Sequence, residues 1–345
     1  MPKARQVIEV GARKRYETNG LHIVPSLAGA HHHIVRGRYR LRFELPKRPH
    51  PRDWQIEDAP IACYQYRQHK SGRRSPITFS VNRVTCILET PRKAKIPTSA
   101  LGVVDVSLFG SREREKLYHW AGEYSAVMDG VFSYWLSVLR WRSGVYGIGV
   151  PYLKSDPVYD GTYLIDFRNG QRFFSEMTSI GFKMEGALTA RQWGDVQRVL
   201  SRNEPTPLWH ILLAEADQQL GVQDHRRFLV DLALACEIVL RHLVQVVLKQ
   251  RVAIELVNTI AITRVIDNLK NLEFRPKRWN SLKACIPDLK QIFEYRNKIM
   301  HRGWREYVSQ DGCRKLQRSA IRFVCEVERE IVRRSGHVAS PHQSA

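Results

Sequence analysis

From about Thr189 onward the hydrophobic period of this chain is helical throughout, and that change from a mixed pattern constrains the fold more than any other feature. Before it, apolar residues alternate in twos along several runs. After it they recur every three or four residues. Alternation by two buries one face of a strand, whereas recurrence near 3.6 buries one face of a helix. The expected fold class is therefore an α+β N-terminal domain followed by an all-α C-terminal domain. At 345 residues the chain is also longer than one core usually takes. The expected boundaries are 1–185 for the first domain and 186–335 for the second. The small, polar stretch 336–345 is expected to be a disordered tail.

Within the first domain, Tyr39, Leu41, Phe43 and Leu45 point one way and Arg38, Arg40, Arg42 and Glu44 the other, which predicts a half-buried strand with a basic outer face. Ile77, Phe79 and Val81 start a second run that changes phase at Asn82-Arg83 and continues through Val84, Cys86 and Leu88. A bulged strand or two short ones would explain that slip. Asn169-Gly170 between the runs 163–167 and 172–174 signals a hairpin, because both turn residues tolerate positive φ. Between these strands, apolar residues from Leu117 to Leu139 recur at helical spacing, which predicts one long helix covering the sheet. Ser111 is its expected cap, Glu113 and Glu115 suit its positive end, and Gly144 can stop it.

In the second part, Thr189-Ala190-Arg191-Gln192 has the form of a capping box. Helices are expected at Leu208–Leu220, after Pro205 and Pro207, and at Asp224–Arg251. The latter is apolar nearly all round, as the centre of a bundle would be. A looser stretch to Arg278 leads to another helix, and a last one is expected from Gly312 to Arg334.

Charge is uneven. The net values are +13 over 1–100, −1 over 101–250 and +9 over 251–345, giving +21 in all. Two basic ends around a neutral middle suit a polyanionic partner, and nucleic acid is the common one; a basic surface kept for solubility is the plainer alternative. The six cysteines show no Cys-x-x-Cys pair and no disulfide-framework spacing, which suits a reduced cytosolic setting. The most apolar segment, Phe228–Leu248, is interrupted by Asp231, Glu237, Arg241, His242 and Gln245, and the N-terminus lacks the apolar stretch of a secretory signal. A soluble, cytoplasmic protein with no membrane span is expected.

The chemistry-bearing string is Arg296-Asn297-Lys298-Ile299-Met300-His301-Arg302-Gly303, at the end of a predicted helix. On a helix each residue turns about 100°, so Asn297 and His301 share a face while Arg296 and His301 lie about 140° apart. One helix alone does not place that arginine and that histidine together. A helix ending near Gly303 would free the histidine to turn, and a second copy facing the first across a dimer axis would supply the missing partner. These groups suit transfer of a phosphodiester to the neighbouring ribose 2′-hydroxyl. His301 would be the acid or base, Arg296 the cation for the phosphorane, and Asn297 an amide for the phosphate or hydroxyl, with no metal or other cofactor required. Lys298, Arg302 and Arg305 would hold neighbouring phosphates.

At these residues the chain resembles the HEPN superfamily, whose signature is an arginine, a polar residue, a short variable run and a histidine at the end of the third helix. Here that reads Arg296, Asn297, Lys298-Ile299-Met300 and His301, with Tyr295 before it and Gly303 after. The segment Arg226–Glu237 also looks like the second helix of ApeA-like HEPN domains. The resemblance covers roughly 205–335. It implies a four-helix bundle, a homodimer and a composite metal-independent endoribonuclease site acting on RNA. Arg296, Asn297 and His301 would be catalytic, in a toxin or antiphage-defence setting with a protein trigger or antitoxin. Some HEPN bundles only bind or dimerise, so a non-catalytic nucleic-acid-binding adaptor is the rival reading, and an N-terminal sensor that holds the nuclease inactive is a third.

Glu237 and Tyr295 are candidates for orienting the motif from behind. Glu237 has an equal alternative in an i, i+4 pair with Arg241. Arg38, Arg40 and Arg42 are candidates for tracking a nucleic-acid backbone, with Tyr64, Tyr66 and Arg67 as candidate stacking or phosphate contacts; a charged edge strand that resists aggregation is the alternative. His31-His32-His33 has no acidic or thiol neighbour in sequence to complete a metal site. No P-loop, G-x-G-x-x-G or G-x-S-x-G is present.

Overall fold

The computed structural model describes residues 5–47, 61–68, 74–97, 104, 109–148, 159–166, 171–179, 187–222, 224–248, 261–302 and 308–335. They fall into two compact units, Met1–Pro205 and Thr206–Ala345.

The first unit is a mixed, half-barrel-like sheet with helices on it. Its spine is two long strands, β1 (Arg5–Ile23) and β5 (Arg74–Pro97), paired antiparallel. Around them lie β2 (His31–Arg36), β3 (Tyr39–Glu44), β4 (Ile61–Gln68), β6 (Tyr159–Asp166), β7 (Gln171–Ser179) and the short β8 (Ala187–Leu188). The order is β2-β3-β5-β1-β6-β7, with β4 also on β5 and β8 parallel to β1. Register shifts between Val10 and Ala12 and between Glu17 and Leu21 let so long a strand bend. The second shift faces the phase slip of β5: Phe79 and Val81 are buried on one phase, Val84, Cys86 and Leu88 on the other, within one continuous strand. Ile77, expected to share their face, is 41 % exposed. Strands β6 and β7 pair from Asp166 and Gln171 outward, as a hairpin requires; the Asn169-Gly170 turn lies outside the described residues.

Helix α1 (Ser111–Ser143) packs on β1, β5 and β6 and buries Leu117, Trp120, Tyr124, Met128, Phe132 and Trp135. Its N-cap is Gly110 rather than Ser111; the Glu113 carboxylate accepts the Gly110 N–H at 2.9 Å. Gly144 ends it at φ 69°, where a side chain would be strained. One ionic cluster anchors helix to sheet: buried Lys14 of β1 donates to Asp129 at 2.8 Å and to Ser125 at 3.0 Å, and the Tyr16 hydroxyl donates to Asp129 at 2.7 Å.

Helix α2 (Ala190–Ser201) begins at Thr189 with the expected capping box. It packs on α1 and β2, so it belongs to the first unit, and the boundary falls at Pro205 rather than at 185. The cause is the buried face of Trp193, Val196 and Leu200, which continues the core of the sheet unit.

The described residues of the second unit are helices and their connections. It comprises α3 (Leu208–Gly221), α4 (His225–Leu248), the short α5 (Ile262–Asp267), α6 (Pro276–Arg302) and α7 (Gln310–Ser335). Helix α4 packs against α3, α6 and α7, which makes it the central element, and Phe228, Leu229, Leu232, Val239, Leu240 and Leu243 are all buried on it. Polar ties cross the bundle: His210 of α3 meets Glu328 of α7 at 3.1 Å, and Asp288 of α6 takes bonds from Ser319 at 2.5 Å and Lys315 at 2.9 Å, both of α7. No helix among the described residues is long and apolar enough to cross a membrane.

Candidate functional site

Helix α6 buries Leu282, Cys285, Leu289, Ile292, Phe293 and Ile299. The opposite stripe, Lys283, Pro287, Lys290, Glu294, Asn297 and His301, is exposed at steps of three or four residues. Asn297 and His301 therefore stand on the solvent face, as their four-residue spacing requires. Arg296 lies on the flank, half-exposed, and its Nη1 donates to the Asn297 Oδ1 at 3.1 Å. That bond occupies the amide oxygen and leaves the Asn297 N–H groups for another acceptor. His301 has no hydrogen-bond partner among the described residues, so nothing within them fixes its tautomer.

The helix does not stop before the histidine. His301 and Arg302 are the last described residues of α6, within the Met300–Gly303 stretch where its end was expected. Gly303 and Arg305 lie outside the described residues, as does the side chain of Arg302. Lys298 is paired with Glu294 at 2.8 Å, in the order along the helix that favours such a pair. A phosphate would have to compete with Glu294 for it.

Glu237 binds Arg241 at 2.6 Å, each side chain 18 % exposed, so of the two arrangements open to it the i, i+4 pair is the one formed. Tyr295 accepts a bond from Gln291 at 2.8 Å.

The three N-terminal arginines do not form one track. Arg38 sits in the two-residue turn after Gly37 and reaches Glu123 of α1 at 2.8 Å, while Arg92 holds the same carboxylate at 2.6 Å. Hydrogen bonds from Arg92 and Tyr39 hold Glu123 down at about 2. Arg42 lies between Glu44 at 3.1 Å and Glu89 at 3.2 Å, which leaves Arg40, exposed like Arg38, as the member of the set with no carboxylate partner among the described residues. Nor is β3 an edge strand, because β2 and β5 flank it. Arg67 is exposed on β4; the side chains of Tyr64 and Tyr66 are outside the described set.

His31 and His33 are exposed on one face of β2, their rings 4.8 Å apart, while His32 is buried on the other. Among the described residues no group of three His, Cys, Asp or Glu is placed to hold a metal ion. Cys86, Cys236, Cys285, Cys313 and Cys325 are free thiols. Burial pushes every one of them up, Cys313 and Cys325 to about 11, which keeps them protonated and unreactive near neutral pH.

Comparison of the chain with protein-family models, with curated proteins and with solved structures finds no match. Function is accordingly argued from the site.

Proposed function

We propose that the chain is a metal-independent endoribonuclease of HEPN type that cleaves RNA by attack of the ribose 2′-hydroxyl on the neighbouring phosphodiester. The observation that carries this is the C-terminal end of α6, which carries Arg296 on its flank and Asn297 and His301 on its exposed face, with no carboxylate bound to any of them among the described residues. In this reading Arg296 stabilises the charge that develops on the phosphorane, His301 moves the proton, and Asn297 holds phosphate or hydroxyl with its free N–H groups. In this reading His301 is the acid that protonates the leaving 5′-oxygen. Because Arg296 and His301 diverge by about 140° around the helix, a second copy completes the site, and the active form is a homodimer.

The bundle is the nuclease, and the N-terminal unit recognises RNA or a protein trigger. A cytoplasmic toxin or antiphage-defence role, with an antitoxin or trigger as regulator, goes with the HEPN resemblance. The rival, a nucleic-acid-binding or dimerising adaptor without catalysis, draws on the same divergence of Arg296 and His301.

The test is cleavage of single-stranded RNA in EDTA by the full chain, by Arg296→Ala and by His301→Ala, each with an unchanged melting profile. Cleavage leaving a 2′,3′-cyclic phosphate, with both variants reduced at least a hundredfold, is the expected result. Equal activity in all three would refute the site, and RNA binding without any cutting would favour the adaptor.

A further inference from the structure

We propose that Arg314, Arg318 and Arg322, on the N-terminal half of α7, form a phosphate track that holds the backbone of single-stranded RNA beside the α6 motif. This rests on the ribonuclease reading for the nature of the strand, and on the following geometry for its place.

The three arginines are exposed and follow one another at four-residue steps on one face of the helix, each about 6 Å further along the axis. None has a carboxylate partner among the described residues. The C-terminal half of the same helix is treated differently: Arg329 meets Glu326 at 2.7 Å, Arg334 meets Glu330 at 2.5 Å, and Arg333 meets Glu330 as well. Like charges four residues apart on a helix repel, so helix stability gives no reason for the bare stripe. Lys315, which adjoins it, is spent on Asp288 at 2.9 Å.

That contact, with the Ser319–Asp288 bond of 2.5 Å, sets the antiparallel register of α7 on α6. Arg322 then lies close enough to Cys285 for its charge to act on that buried thiol. The antiparallel register sets the Arg314 end of the stripe toward the C-terminal half of α6, the half that carries the motif. A stripe one guanidinium wide fits the phosphates of a single strand, and Arg is the residue suited to forked contact with phosphate oxygens. The excess positive charge of the chain is the matching long-range term.

The experiment uses the full chain carrying His301→Ala, so that RNA is bound without being cut, and follows its affinity for a labelled single-stranded RNA as salt is raised. Adding R314Q, R318Q and R322Q should lower the slope of log K against log salt by about 2, since each phosphate contact on a single strand contributes about 0.7. A control with R226Q and R264Q, exposed positions on α4 and α5 of the same unit, should leave the slope unchanged. An unchanged slope in the triple variant overturns the track and gives the stripe to an acidic protein surface instead; absence of RNA binding in the parent overturns it too. A lowered slope with no cleavage by the wild-type chain supports the track while refuting the ribonuclease. Cleavage with an unchanged slope does the reverse.

Discussion

At the residue scale, two buried ionisable groups show how the fold chooses a protonation state. The Trp135 indole can only donate, and it donates to the Nδ1 of His32 at 2.9 Å; that nitrogen therefore carries no proton, and Nε2 donates to the Trp193 carbonyl at 2.9 Å. His32 is thus held neutral. Burial pulls it down to about 3, against the partial opposition of the Trp193 carbonyl. Since the unfolded chain binds that proton from about pH 6.5 downward, stability is complete above 6.5 and falls as pH drops toward 3, by about 1.4 kcal/mol per pH unit for this group. Denaturant titrations of His32→Gln across that range should show an acid limb shallower by one proton; an identical limb would contradict the assignment. Glu330 works from the carboxylate side. Its side chain is fully buried, which alone would raise it, but bonds from Arg333, Arg334 and Arg278 hold it at about 2. Its contribution is present above about pH 4.5 and is lost as pH falls toward 2. Glu330→Gln should cost on the order of 3–5 kcal/mol at neutral pH by leaving Arg333 and Arg334 without their anion and Arg278 with Glu326 alone. A loss under 1 kcal/mol in chemical denaturation would show that the arginines find other partners.

At the scale of elements, β2 shows how an edge is closed without a further strand. The Gln197 side chain of α2 accepts the His33 N–H at 2.9 Å and donates to the His33 carbonyl at 3.1 Å, standing in for a neighbouring backbone. Gln197→Ala should speed hydrogen exchange at the His33 amide at least tenfold while lowering global stability by only about 1–2 kcal/mol; unchanged exchange would mean that packing of α2, not the amide, protects the edge. That device was invisible in the sequence because its partners lie 164 residues apart. What could be read was local: the apolar stripe of α1, the Thr189 capping box and the recurring face of α4 each arise from residues within a few turns of one another. Strand β1 escaped notice because its alternation is broken by Gly11 at a bulge and by Lys14, a lysine turned inward to meet Asp129. Likewise Arg38, Arg40 and Arg42 look alike in sequence, and only the folded contacts show that Arg42 is neutralised by Glu44 and Glu89 while Arg38 reaches Glu123 of α1.

At the scale of the whole molecule, the sequence separates a sheet unit from a helical one, and the structure moves only the border, to Pro205. The motif on α6 was legible as letters and as helix geometry: the four-residue step from Asn297 to His301 put both on the exposed face. The Glu237–Arg241 pair was legible as one of two arrangements, and packing decides for it; the bare half of α7 was not, because only the folded contacts show which of its arginines meet carboxylates. The central claim is that each chain carries half a site, with Arg296 of one copy working with His301 of another. The most direct measurement mixes two inactive full-length variants, Arg296→Ala and His301→Ala, lets their subunits exchange, and follows RNA cleavage in EDTA. A mixed dimer keeps one intact Arg296–His301 pair across its interface, so the mixture should regain a substantial part of wild-type activity while neither variant alone cuts. If the wild-type chain cleaves RNA and the mixture stays as inactive as its separate components, the two-copy site is wrong.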